Sequence, residues 1–461
     1  MTIDDKTPFP VPNSTVSFWR AQPDKLDDHR STEGLPSECD IVIVGAGYAG
    51  ASVAYHLLDN NPAPPSIVIL EARQACSGAT GRNGGHLKPS LYASMGNMSA
   101  KYGLEAAVEL AEFEKAHLHS IKDLVEKENI DCDFQLTRAF DVFLSRTQSE
   151  KVKNDIEALR MAGVLLPDVQ YTPESKAENV CGVKNAKGCT SFTAGSIWPY
   201  RLIIHLLRIA LSRGVNLQTH TPVSKISETP DPFTNRWTVT TSSRGSIKAK
   251  KVIFATNAYT SALLPQYKGK IVPVRGICSR IVTPENKLSP YLPNTYSLRW
   301  SPTIYDYLIP RPDGSIVVGG ARADYLSDLS NWYNVIDDSK LIEPAKDYFD
   351  GYMQRHFHGW EDSGAYTDRV WTGVMGYSSD YLPHVGCVPG KPELYIIAGF
   401  TGHGMPQVFL SAKGISKMIR ENRPFKETGV PRLYETSEAR LKSTENAILA
   451  AVEGGTLKAQ L

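Results

Sequence analysis

Cys39-Asp-Ile-Val-Ile-Val-Gly-Ala-Gly-Tyr-Ala-Gly50 decides the fold. Its first six residues are a short, largely β-branched run, the pattern of a strand buried on both faces of a parallel sheet. A glycine turn follows, and Ala51-Ser-Val-Ala-Tyr-His-Leu-Leu58 continues as a helix. Ser66-Ile-Val-Ile-Leu-Glu71 is a second buried strand, so the segment is a βαβ unit. Gly45, Gly47 and Gly50 stand in G-x-G-x-x-G spacing. The first permits the tight turn, the second lets backbone approach a pyrophosphate, and the third lets helix and strand pack closely. The pyrophosphate then sits on the helix N-terminus, where unpaired N–H groups and the dipole favour negative charge. Glu71 lies 21 residues beyond Gly50, where a ribose-binding acid belongs. A glycine turn in some other α/β protein is the bland alternative. Both strands, the helix and the acid together favour a dinucleotide site.

Composition bounds the rest. The 461 residues are 41% hydrophobic and 21% charged, with 50 basic against 49 acidic side chains for a net charge of +1. That describes an ordinary globular chain of two or three domains. It excludes the basic excess of a nucleic-acid binder. No window reaches the roughly 18 apolar residues of a membrane span. Met1-Thr-Ile-Asp-Asp-Lys-Thr-Pro8 lacks the layout of a secretory signal. The expected place is the cell interior, the cytoplasm first. The end, Lys458-Ala-Gln-Leu461, weakly resembles a peroxisomal address and leaves that compartment open. Cys39, Cys76, Cys132, Cys181, Cys189, Cys278 and Cys387 are odd in number and contain no C-x-x-C, a poor disulfide framework and a poor zinc site. No metal site is expected, and nothing in the sequence sets an oligomeric state.

Residues 1–37 read as a polar, Pro-rich arm pinned by Phe18-Trp19. A helix is expected from about 103 to 127, with Leu104, Ala107, Val108, Ala111, Leu118, Ile121 and Val125 on one face, interrupted by Glu114 and Lys115. Residues 134–144 read as a strand, 151–163 as a helix, and 199–213 as a helix with Pro199 in its first turn. Residues 236–250 read as a hairpin. Two further segments suit a flat ligand. Cys76-Ser-Gly-Ala-Thr-Gly-Arg-Asn-Gly-Gly85 is too glycine-rich for helix or strand, and Ala398-Gly-Phe-Thr-Gly-His-Gly-Met405 is a strand-to-helix junction with three glycines. Ile253-Phe-Ala-Thr-Asn-Ala258 is a buried strand ending in small residues. An NAD-dependent dehydrogenase has no need of the 398–405 junction.

With these motifs in order, residues 38–435 resemble the FAD-dependent D-amino acid oxidase-like superfamily, nearest its γ-glutamylputrescine oxidase-like branch. Further matching stretches are Ile197-Trp-Pro199, Ile309-Pro-Arg-Pro-Asp-Gly314 with Gly319-Gly320, and Trp371-Thr-Gly-Val-Met-Gly376 with Asp380 and Pro383. The resemblance implies an α/β fold: a discontinuous, Rossmann-like FAD domain (38–130, 195–265 and 360–435), a β-rich α+β substrate domain (131–194 and 266–359), and a tail, 436–461. It implies FAD contacts from Gly45, Gly47, Tyr48, Ala49 and Gly50, from Glu71, Ala72 and Arg73, and from Val223 through its backbone. The glycine-rich loop would add Gly78, Ala79, Thr80, Arg82, Asn83, Gly84, Gly85 and His86. The later motifs would add Ala255, Thr256, Asn257, Gly373, Gly376, Gly399, Thr401, Gly402, His403, Gly404 and Met405. The junction would aim a helix N-terminus at the flavin's pyrimidine edge, where charge gathers on reduction, with Gly402 and Gly404 letting backbone N–H groups approach the ring.

His86, His403, Trp300, Tyr305 and Arg322 are the candidate catalytic residues, with Tyr307 as a further wall. Each histidine also reads as a packed side chain, and each aromatic as core. Where the sarcosine oxidase branch has a lysine over the flavin, this chain has Val317; where that branch binds the substrate carboxylate by lysine, this chain has Pro406. Lys88 and Arg322 are the cations able to substitute. That branch's flavin-tethering cysteine has no counterpart in Gly373-Val-Met-Gly376, so non-covalent FAD is expected, with Cys76, His86 and Cys387 as other attachment points. The implied activity is oxidation of an amine or amino-acid C–N bond to an imine with O2 as acceptor, giving peroxide. An uncharged or remotely charged amine is favoured over sarcosine. A same-fold dehydrogenase with another acceptor and a non-catalytic FAD-containing binding protein stand as alternatives.

Overall fold

A computed structural model of the chain describes residues 8–453; Lys458–Leu461, read above as an address signal, lies outside them. Two large sheets carry the chain. The first runs in the order His384–Cys387, Leu394–Ala398, Ser246–Phe254, Glu38–Val44, Ile67–Leu70, Asn216–Gln218, with Val223–Ile226 and Trp237–Thr241 as a flanking hairpin arm. Its middle strands are parallel. Val42, Ile43, Val68, Ile69, Val252, Ile253, Ile396 and Ile397 are buried, which is why these runs do not alternate with polar residues. The helix Tyr48–Leu58 is covered by the helices Val408–Arg420 and Pro199–Ser212. It is consequently apolar nearly all round.

The second sheet runs Tyr366–Ser378, Ile271–Val282, Ile316–Gly319, Tyr305–Pro310, Thr295–Arg299, Gln135–Phe143, Gly188–Ser196, His86–Leu87. Tyr366–Ser378 pairs along the whole of Ile271–Val282. That strand therefore leaves the segment 360–435 assigned above to the FAD domain and stands in the second sheet, as does His86–Leu87 from 38–130. The sequence division cut at motif boundaries; the hydrogen-bond ladder does not. The expected helices are present at Leu104–Lys127, Arg146–Met161 and Pro199–Ser212. The hairpin is present too, though its second strand runs on to Phe254.

Phe18 and Trp19 are buried, and Trp19 Nε1 donates to the Asn83 carbonyl. The arm is held more firmly by an ion cluster. Arg73 grips Asp338 in a bidentate pair at 2.9 and 3.0 Å, and Arg82 Nε reaches the same carboxylate at 3.3 Å. Arg82 Nη1 donates to the Thr15 carbonyl at 2.6 Å, and Thr15 N donates to the Asp338 carbonyl. Asp338, Arg73 and Arg82 are all buried. Removing one partner of a buried pair costs about 3–5 kcal/mol, because the survivor is left charged without compensation. Asp338→Ala strands two guanidinium groups, so we expect at least that loss in denaturant unfolding of the FAD-loaded protein. A change under about 1 kcal/mol, the scale of a surface pair, would show that the clamp contributes little.

Candidate active site

The groove begins where sequence places it, at the carboxyl ends of the first sheet's strands. Gly45 adopts φ +110°, and a Cβ there would lie 2.7 Å from the Ala255 carbonyl oxygen. A Cβ on Gly50 would lie 1.9 Å from the Gly45 oxygen, so Gly50 serves helix–strand packing and does not line the groove. Tyr48 N donates to Thr80 Oγ1 and Ala46 N to Glu71 Oε2, which ties the glycine turn to the loop and the acid. The N–H groups of Gly47 and Ala49 have no partner among the described residues and line the groove. That is the donor set an anionic pyrophosphate requires. Glu71, Ala72, Arg73, Gly78, Ala79, Thr80, Asn83, Val223, Ala255, Thr256 and Asn257 line it as expected. Arg73 does so with its guanidinium committed to Asp338.

At its far end the groove is lined by Gly402, Gly404, Met405 and Met375. Gly402 has φ +72° and, like Gly404, an N–H with no partner within the chain among the described residues. Gly399 and Thr401 turn away: Thr401 N donates to the Gly376 carbonyl, and its hydroxyl accepts from Ser378 N. Gly85 and Gly376 likewise line nothing; a Cβ would strike the Ile197 oxygen at 2.4 Å or Asn257 Oδ1 at 2.6 Å. These four are geometric necessities, not contacts. The helix after the junction starts only at Val408, so a loop intervenes between strand and helix.

Beyond Asn83, Met375, Gly402 and Met405 the groove opens into a second cleft walled by the second sheet. Gly84, Gly373, His86, His403, Tyr305, Tyr307 and Arg322 line it, with the Arg82 stem and Lys88. Trp300 does not. It follows the end of Thr295–Arg299 and packs edge-on to His356 at 5.8 Å, in the core behind the sheet. Val317 is buried and absent from the cleft wall, whereas Pro406 lines it. A Cβ on Gly84 or Gly319 would lie 2.5 or 2.2 Å from the Tyr307 ring, so both glycines make room for that wall.

Electrostatics separates the candidates. Burial pushes the His86 imidazole down to about 3, and its Nε2 bonds Thr295 Oγ1 at 2.8 Å; it is neutral at physiological pH and a poor base. His403 Nε2 bonds Glu114 Oε2 at 2.9 Å, and Gln407 Nε2 and Ser90 N donate to the same carboxyl. Glu114, an interruption of the helix's apolar face in the sequence, is buried to hold His403. Asp141 was missed too. Burial would raise its carboxyl, but Arg299 at 3.2 Å and Lys88 at 2.7 Å outweigh burial and hold it well below the usual range. Arg322 has no carboxylate partner among the described residues; its Nη2 donates to Tyr377 OH at 2.7 Å and its guanidinium lies 5.2 Å from the Tyr305 ring centre. The Arg322 charge, helped by Arg299 and Lys88, lowers the Tyr305 phenol against the effect of burial. Behind the wall, Asp306 Oδ1 accepts from Ala321 N at 2.8 Å and fixes the left-handed turn that presents Arg322. Burial raises the Asp306 carboxyl to about 6, although Tyr348 and Tyr352 donate to it.

The sequence profile described as DAO, FAD dependent oxidoreductase, matches residues 40–418. The chain belongs to this family. This DAO-family chain is 24% identical over 412 residues to gamma-glutamylputrescine oxidoreductase of Escherichia coli (strain K12), covering 88% of this chain and 89% of that one. Its fold matches the crystal structure of glycine oxidase from Geobacillus kaustophilus (TM-score 0.67, 18% identity, 84% and 96% of the two chains). It also matches L-proline dehydrogenase from P. horikoshii (TM-score 0.63, 18% identity, 87% and 97%). The protein is an FAD-dependent oxidoreductase with two packed sheets of the family's α/β type. The unpaired N–H groups at both ends of the groove fit FAD, and Glu71 and Val223 line the same groove. Phe9 and Pro10 of the arm also line the groove, which no sequence signal announced.

Gly47→Val places a branched side chain where a Cβ already stands 3.3 Å from Thr80 Oγ1. The variant should purify colourless with native circular dichroism. FAD retention equal to the unchanged protein would refute the assigned groove.

Proposed function

We propose that the protein oxidises the C–N bond of an amine or amino-acid derivative to an imine, with O2 as the terminal acceptor. The observation that carries this is the junction at Met375, Gly402 and Met405, where the FAD groove meets a cleft whose polar wall is Tyr305 among guanidinium groups. FAD, when bound, supplies the two-electron acceptor. The substrate loses two electrons and two protons as its C–N bond becomes C=N, and O2 takes up both pairs as hydrogen peroxide. Names among the relatives support the reading: gamma-glutamylputrescine oxidoreductase and glycine oxidase each specify an amine or an amino acid.

The chain's residues have two tasks. They exclude water, through Met375, Met405, Ile277 and Tyr307, and they set the amine's protonation. An ammonium has no lone pair to share with the carbon being oxidised, so it must lose a proton first. His86, neutral and depressed to about 3, does not take it. The Tyr305 hydroxyl makes no hydrogen bond within the chain among the described residues, faces the cleft, and is made more acidic by Arg322. As the phenolate, the form that Arg322 favours, it accepts that proton. We therefore expect kcat/KM to rise with pH, with the rising limb below the substrate's own amine pKa. Tyr305→Phe should lower kcat/KM near pH 7 by about 100-fold and move the limb up to the amine value. A peroxide-coupled screen over amines, N-methyl amino acids and polyamine conjugates supplies the substrate. An unchanged profile in Tyr305→Phe would remove the tyrosine from the reaction. A stopped-flow reoxidation trace in air separates an oxidase from a dehydrogenase of the same fold.

The flavin is held without a covalent bond. Neither Cys76 nor Cys387 lines the groove or the cleft, and the one cleft cysteine, Cys278, bonds Tyr307 OH at 3.0 Å with its thiol pushed by burial to about 11. A thiol at that value is not the nucleophilic thiolate that tethering requires. Acid precipitation should leave all the flavin in the supernatant; yellow in the washed pellet would point to Cys278 or His86.

A further inference from the structure

A side chamber of about 480 Å³, counting its mouth, adjoins the cleft and shares Arg322, Tyr325, Met375 and Tyr377 with it. It is too small for a whole substrate and suits one end group of a ligand that continues into the cleft. Two cations face it. Arg322 spends one of its five N–H donors within the chain, on Tyr377 OH. Arg275, buried on the strand Ile271–Val282, donates Nε to the Asn331 carbonyl at 2.9 Å and Nη1 to the Asp337 carbonyl at 3.2 Å. Neither has a carboxylate within 4 Å among the described residues. The Asp337 carboxylate is turned to Ser339 and lies 3.9 Å from Lys340. The contrast with the cleft's other cations is plain, since Lys88 and Arg299 share Asp141. The far wall comes from the C-terminal helix through Ile448, Ala451 and Val452.

A buried guanidinium and a half-buried one with no carboxylate in reach are costly, and an anion in the chamber they line offsets that cost. Their free N–H edges suit the planar, paired oxygens of a carboxylate. We infer that this chamber is a subsite for a substrate carboxylate several bonds from the reacting amine, so that the substrate is an ω-amino acid or a longer amine bearing a remote carboxylate. The inference rests on the amine-oxidation reading but is tested apart from it. The chamber meets the cleft at Arg322, Tyr325 and Tyr377, and the one residue it shares with the flavin groove is Met375, which lines groove, cleft and chamber alike. A carboxylate held there leaves the amine end to span that side chain. An α-amino acid, whose amine and carboxylate share one carbon, is too short. The absence of a lysine at Pro406 agrees, because the charge is met from this other direction.

The test is a binding titration on the FAD-loaded protein, followed by perturbation of the flavin absorbance under anaerobic conditions. Straight-chain ω-amino carboxylates of four to six carbons are compared with their matched amides. A charge-assisted bond worth about 1.5–3 kcal/mol predicts a preference for the carboxylate of about 10- to 150-fold. Arg275→Met should abolish the preference at full FAD content, and Arg275→Lys should restore part of it. Ala451→Trp, which fills the chamber from the C-terminal helix and touches neither function of the groove, should weaken the carboxylates and leave short amines unaffected. Equal binding of acid and amide, or a preference that survives in Arg275→Met, overturns the inference. Bleaching of the flavin reports oxidation separately: a carboxylate preference without bleaching by any amine would refute the amine-oxidation reading and leave the subsite standing.

Discussion

The carboxylate of Asp338 is the point on which the remaining geometry depends. Arg73 follows the second strand of the βαβ unit, Arg82 belongs to the glycine-rich loop, and Thr15 to the N-terminal arm, and all three meet Asp338. Thr372, on the long strand of the second sheet, donates to its carbonyl oxygen. The arm, the neighbouring segments at Arg73 and Arg82, and the distant strand at Thr372 are thus fixed relative to one another by a single buried residue. The FAD groove runs beside that junction. A loop as glycine-rich as 78–85 loses more conformational entropy on ordering than an average segment. It keeps one shape because Arg82 at its centre is gripped by Asp338 and Thr15, while Trp19 takes the Asn83 carbonyl. An ion cluster of this kind contributes geometry more than net stability, since desolvation offsets much of its attraction.

Charge in the cleft is arranged by the same logic. Asp141 sits on the strand Gln135–Phe143 and pairs with both Lys88 and Arg299, so the trio is left with one net positive charge where three separate groups would carry two cations and an anion. Arg322 has no carboxylate within 4 Å among the described residues. Asp306 lies close by but faces the other side of its strand, where Tyr348, Tyr352 and the Ala321 N–H take up its oxygens. Its carboxyl, raised by burial to about 6, has both oxygens occupied by these donors and acts here as a brace for the turn. The strand's alternation does the sorting: Tyr305 and Tyr307 face the cleft, and Asp306 between them faces the brace.

What the sequence made legible follows from the range of the interactions involved. The βαβ unit could be read because its signal is local: strand, turn and helix are neighbours in the chain. The glycine motifs were legible for the same reason, although only coordinates separate Gly47, which faces the groove, from Gly50 and Gly376, which exist to let backbone pass. Trp300 shows how position along a strand misleads. Tyr305 and Tyr307 share a face by the two-residue period, while Trp300 comes after its strand has ended and packs behind the sheet. Glu114 did leave a trace, since an acid on an apolar helix face needs a partner, and His403 is that partner. Asp141, inside a buried strand, left a similar one. Asp338 and Arg275 left none, because their meaning lies in residues dozens to hundreds of positions away.

Groove and cleft are walled largely by different sheets, and that division has a consequence for how the enzyme can change. The first sheet supplies the pyrophosphate cradle, and the second supplies Tyr305, Tyr307, Arg275 and Met375. Side chains on the second sheet can therefore be exchanged to accept a different substrate without disturbing Gly45, Gly47 or Glu71. Met375 is the exception, since it lines the groove, the cleft and the side chamber together. It is unbranched and polarisable, and adapts to neighbours of several shapes. A shorter residue there would open the chamber directly onto the flavin groove, and a bulkier one would close it. A change at Met375 is thus felt in groove, cleft and chamber at once, because its side chain lines all three spaces.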